Sequence, residues 1–125
     1  MPQAGHTYKR THKLAAKVLQ IDTAAEEAKL AAQAASAKTG RAAKTFVKEG
    51  RLRVTLIALR KGTVLNAHTV PGEVSIAVTR GAVEIGLAGE AIAAKRGAVI
   101  VLEAGVTHDV RALRDSGLLI TTSMR

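Results

Sequence analysis

The spacing of glycine constrains this chain more than any other feature. Beyond Arg41, and leaving aside Gly86, glycines recur at 50, 62, 72, 81, 89, 97, 105 and 117, and the runs between them are dominated by Val, Ile, Leu, Ala and Thr. A turn former every 8 to 12 residues, with short β-branched runs between, is the pattern of an all-β sandwich or barrel. Strands are expected at roughly 44–49, 51–60, 63–70, 73–80, 82–87, 90–95, 98–102, 106–113 and 117–123. Pro71-Gly72 suits the centre of a type II turn, and Arg80-Gly81 and Ala88-Gly89 suit tight hairpins. The run RLRVTLIALR (51–60) is apolar on both faces in its middle. Such a strand is covered twice, by the barrel interior on one side and by a helix or a second subunit on the other. A homodimer is therefore expected.

The first third of the chain has a different character. Residues 1–13 show no periodicity and read as a tail, and from Leu14 the chain becomes alanine-rich and helical. Thr23-Ala-Ala-Glu26 has the form of a capping box, in which a hydroxyl and a carboxylate satisfy each other's free amides. Strong helix formers follow, and Thr39-Gly40 supplies a stop. The face of this helix is almost all alanine, relieved by Leu30, so it must lie on something to be stable. The chain divides into a tail and helix (1–40) and a barrel (41–125).

Composition excludes several functions. There is no cysteine, hence no disulfide, thiolate metal site or thiol nucleophile. No apolar run reaches membrane-spanning length, and Lys17 and Asp22 interrupt the stretch behind the basic start, so the expected location is the cytoplasm. Residues 1–61 hold 13 Lys or Arg against 4 Asp or Glu, whereas residues 62–125 hold 6 against 6, so the whole net charge of +9 lies in the first half. A basic arm binds phosphate non-specifically, but a solvated surface is its commoner role. With Tyr8 and Phe46 the only aromatics, stacking platforms are lacking, and no nucleic-acid partner is expected.

Two histidines bracket the barrel segment, in GTVLNAHTVPGE (62–73) and GAVIVLEAGVTHDVRA (97–112). Both stretches resemble the two motifs of the cupin family. Gly62 and His68 match the first motif; Val70 stands at its second histidine, and Glu73 arrives one or two residues before its glutamate. Counted back from Gly81, the glutamate position falls on Val74. Gly97, Gly105 and His108 match the second motif, with Glu103 replacing a proline and Ala112 an asparagine. The segment 40–62 is also similar to the lead-in of small single-domain bacterial cupins. The resemblance implies a double-stranded β-helix, or jelly-roll, barrel preceded by the α-helix. It also implies a divalent metal, Fe, Mn, Ni or Zn, on the surviving motif positions His68 and His108 with the displaced Glu73.

Strand parity bears on that metal set. Residues two apart share a face, which groups Val64, Asn66, His68 and Val70, and separately His108, Val110 and Ala112. Val74, Ile76 and Val78 point inward, so Glu73 points outward unless the turn at Pro71-Gly72 re-aims it. Three readings stay open: a two-His-one-carboxylate metal site, a metal-free pocket in which neutral imidazoles bind an oxyanion or move protons, and two satisfied polar groups in a barrel wall. Asn66 could anchor an imidazole or a ligand, Glu103 could serve as a replacement ligand, and Asp109 faces away from His108. His6 and His12 lie in the tail and are read as inert. The expected function is small-molecule binding in a pocket lined by Val54, Leu56, Val74, Ile76, Val78, Val83, Ile85 and Ile100. Its polar handles are His68 and His108, with Asn66, Val70 and Val74 as further contacts. The family resemblance implies an alternative, a metal-dependent dioxygenase, isomerase or decarboxylase acting on a small organic acid.

Overall fold

The computed structural model describes residues 17–124, so the tail with its His6 and His12 lies outside the described residues. Among the described residues one helix, α1 (Thr23–Ser36), precedes nine strands. They are β1 (Arg41–Glu49), β2 (Leu52–Leu59), β3 (Val64–His68), β4 (Glu73–Arg80), β5 (Ala82–Leu87), β6 (Glu90–Lys95), β7 (Val99–Leu102), β8 (His108–Ala112) and β9 (Ser116–Ser123). Each corresponds to one strand of the glycine-spaced pattern. All pairings are antiparallel, in a five-stranded sheet β1-β2-β9-β4-β7 and a four-stranded sheet β3-β8-β5-β6.

The two sheets bury a common core of Leu59, Val74, Ile76, Val78, Val83, Ile85, Leu102, Val110 and Leu118. Alternation along β4 and β5 delivers it, since every second side chain is buried and the intervening ones are half-exposed. A second core lies on the outer side of the five-stranded sheet, where Leu30 and Ala34 of α1 meet Phe46, Val47, Leu56 and Ala58. β2 serves both cores, sending Ile57 and Leu59 inward and Val54, Leu56 and Ala58 toward the helix. The doubly apolar character of that strand is thus answered within the chain, by α1.

Two local expectations are corrected. The helix is capped by Asp22, not Thr23: the Asp22 carboxylate accepts from the Ala25 amide at 3.1 Å. Asp is the better cap, and Glu26 is drawn away from a capping role because its carboxylate, 1 % exposed, pairs with Lys44 of β1 at 3.1 Å. At the other end the helix stops at Ser36, where Arg60 donates to the carbonyls of Ala35 and Ala37 at 3.0 and 3.2 Å. The second correction concerns Gly72, which does not have the positive φ that a type II turn requires. Its lack of a side chain serves a close approach instead, because a Cβ there would collide with the Ser123 carbonyl of β9.

Candidate functional site

The last residue of β3 and the first of β8 are both histidine, and the register makes them direct cross-strand partners. Their rings stand 4.5 Å apart, centroid to centroid, inclined at 55°. The pairing of His68 with His108 depends on a bulge. Leu65 pairs with Val110 and His68 with His108, so three steps on β3 match two on β8. Leu65, which packs on the inner core, is therefore the residue that shares a face with His68. Simple alternation grouped His68 with Val64 and Asn66; these two are exposed, and the bulge re-aims the histidine.

The imidazoles are held alike and exposed unequally. Nδ1 of His68 lies 3.2 Å from the Asn66 carbonyl, and Nδ1 of His108 lies 3.1 Å from the Val106 carbonyl. A carbonyl only accepts, so each contact fixes the tautomer with the proton on Nδ1 and leaves the Nε2 lone pair available. His108 is 3 % exposed, while His68 is open to solvent. Beside the pair, the hydroxyls of Thr69 and Thr107 share a hydrogen bond of 2.7 Å. Sequence reasoning missed this tie. Its trace was the mirrored pair of dipeptides, His68-Thr69 and Thr107-His108, which antiparallel pairing sets side by side.

The other expected site residues are distributed around this pair. Val70 is half-buried on the inner core, and its carbonyl accepts from the Gly105 amide at 2.9 Å, which ties the loop after β3 to the loop before β8. Val74 is buried within the core. Asn66 contributes its backbone carbonyl to His68, and its side chain is exposed. Glu73 does not complete a metal set: Val74 points inward, and no cluster of three or more His, Asp or Glu capable of holding a metal occurs among the described residues. Glu103 is an exposed turn residue. Val54 and Leu56 line no barrel pocket, because they face α1. A cleft of about 250 Å³ adjoins His108, bounded by Ala67, Gly86, Leu87, Ala88, Thr107 and Asp109.

Solved structures with the same arrangement of strands settle the fold. The chain is similar to a conserved protein of unknown function from Streptococcus pyogenes, with 25% identity, a TM-score of 0.67 and coverage of 71% of this chain and 78% of that one. It is similar to an RmlC-like cupin protein from Desulfovibrio desulfuricans, with 28% identity, a TM-score of 0.62 and coverage of 66% and 81%. A cupin superfamily protein from Desulfitobacterium hafniense matches with 14% identity and a TM-score of 0.69 over 77% and 88%. This is a small cupin-like barrel protein. No protein-family model and no curated protein matches the chain. The cupin-like barrel accounts for the two sheets, and the pairing of β3 with β8 sets the histidines of the two stretches 62–73 and 97–112 side by side.

The donor set can be tested against a metal. An imidazole bound through Nε2 at about 2.1 Å puts its centroid about 3.2 Å from the ion, so two ligands have centroids about 5.2 Å apart at the tetrahedral angle and about 4.5 Å apart at a right angle. The observed separation of 4.5 Å matches the right-angled arrangement and is shorter than the tetrahedral one. Two neutral nitrogens without a carboxylate suit Zn, Ni or Fe better than Mn. His68 and His108 would hold it, and the ion would supply Lewis acidity toward a bound oxygen.

Proposed function

We propose that this cupin-like protein binds a small molecule at the barrel end marked by His68 and His108, with a divalent metal held weakly between the rings. The observation that carries this reading is the cross-strand pair itself: two rings 4.5 Å apart, each tied back through Nδ1. Val70, Leu87 and Val106, half-buried on the inner core at the same end, give a ligand apolar surface to rest against. The imidazoles supply two acceptors, or a metal that polarises a ligand oxygen. With only two protein ligands, water or the small molecule completes the metal's coordination, so occupancy is partial and the ion exchanges readily.

Calorimetric titration with Zn²⁺ and Ni²⁺ tests the reading. One ion should bind per chain, and His68→Ala and His108→Ala should each weaken binding at least about tenfold, the loss of one of two ligands. Equal binding by the double variant overturns it. Turnover of a small organic acid that disappears with either histidine would identify an enzyme; binding without turnover identifies a binding protein.

A further inference from the structure

Exposed apolar side chains are unevenly placed on this molecule. Among the described residues six large ones stand exposed: Val18, Leu52, Val64, Val99, Val101 and Leu113. Four of the six lie on one side, the outer side of the five-stranded sheet. Val99 and Val101, 59 % and 69 % exposed, alternate along β7 with Ile100 and Leu102, which pack into the core between the sheets. Leu52 shares its face of β2 with Val54 and Leu56, which pack toward α1, and Val18 adjoins Leu19, which packs on the same helix-side core. Singly scattered valines mean little, but four on one side mark an interaction surface.

The shape of this side is a step. Leu30 and Ala34 of α1, with Leu19 and Ile21 ahead of it, lie over β1, β2 and Leu119 of β9. Beyond them the sheet is open at β4 and β7. Ser75 and Ala77 of β4 are half-exposed small side chains, and they stand directly opposite Val101 and Val99 in the register. A low floor thus runs beside a valine ridge of the same length, and Thr121, opposite Ser75 on β9, continues the floor toward the helix. We propose that this face joins two copies of the chain in a symmetric dimer. A two-fold interface requires one surface to complement itself, and a ridge beside a matching floor does so. A two-fold axis running along the strands sets the valines of each copy on the Ser75 and Ala77 floor of the other, at the roughly 10 Å spacing of packed sheets. The second sheet then fills the layer that α1 occupies only in part, and α1 flanks the free edge of the β7 opposite, which needs cover.

Charge and area bear on the choice of a second copy. Ser75, Ala77, Val99, Val101 and Thr121 carry no charge, and residues 62–125 balance 6 Lys or Arg against 6 Asp or Glu. Two chains of net charge +9 therefore meet through their neutral half. The floor of three strands measures about 14 by 20 Å and the flank of the step about 10 by 20 Å, so the pair buries about 1,000 Å², the lower bound of a specific interface. The dimer is accordingly reversible and concentration-dependent.

Sedimentation velocity of the full chain between about 5 and 500 μM should show a monomer–dimer equilibrium with a dissociation constant on the order of 10–100 μM. The double variant Val99→Lys/Val101→Lys should weaken association at least about tenfold, because each copy would bury unpaired charge. Both positions are exposed, so its melting temperature at low concentration should stay within about 3 °C of the parent. Val64→Lys, the same change at an exposed valine of the other sheet, should dimerise like the parent. A chain that is monomeric at the highest concentration overturns the proposal. In that case shielding of the Val99 and Val101 methyl groups from a soluble paramagnetic probe would assign the face to residues 1–16 of the same chain, and open methyl groups would assign it to a different protein. A dimer that survives Val99→Lys/Val101→Lys unchanged, or that Val64→Lys weakens equally, overturns it as well.

Discussion

His108 and His68 are the same residue with the same backbone hydrogen bond, yet one is sealed and the other is open. Truncating His108 removes a packed ring and leaves the Val106 carbonyl without its donor, so His108→Ala should cost about 2–3 kcal/mol. His68→Ala should stay within about 0.5 kcal/mol of the parent, as exposed substitutions do. Urea unfolding of the two variants checks this, and equal losses would contradict the difference in burial. Sequence motifs found both histidines because glycine and histidine spacing is visible in one dimension. They could not show that the pair is unequal, since exposure depends on what the loops after β3 and before β8 cover. Strand parity already turned Glu73 outward against Val74, and Val74 is the buried one of the two; only the family resemblance placed Glu73 in a metal set.

Whole elements were legible wherever one rule decided them. Nine strands follow from turn formers and β-branched runs, and β2 announced its two covered faces through an unbroken apolar centre. Details decided by competition were not legible. Asp22 and Thr23 both suit a cap, and the choice turned on Glu26 being claimed by Lys44 across the helix–sheet interface. Asp22→Ala should therefore cost about 1 kcal/mol, and Thr23→Ala much less, by thermal unfolding. The bulge in β3 likewise escaped detection, because nothing in Val64-Leu65-Asn66-Ala67-His68 signals an extra residue. Parity grouped His68 with Val64 and Asn66 and expected it inward; the bulge sets it beside His108 instead, and its ring is exposed.

At the scale of the whole molecule, two cores share one sheet. Phe46 lies with Leu30 in the helix-side core, while Ile85 lies in the core between the sheets. Phe46→Leu and Ile85→Val should add to within about 0.5 kcal/mol, whereas Phe46→Leu and Leu30→Ala should show a coupling energy above that. Denaturant-based double-mutant cycles measure both; strong coupling between Phe46 and Ile85 would mean that the sheet transmits packing strain. Because α1 covers the outer face of β2, that strand by itself no longer calls for a second subunit.

The place of β9 has its own consequence. It is the last strand in chain order, yet it lies in the middle of its sheet, paired with β2 on one side and β4 on the other. As the polypeptide emerges during translation, two half-sheets must wait with bare inner margins for the strand that joins them. Until Ser116–Ser123 arrive, each margin is a template for pairing with a neighbouring nascent chain. The vulnerable interval in the life of this protein is thus the gap between making β8 and making β9.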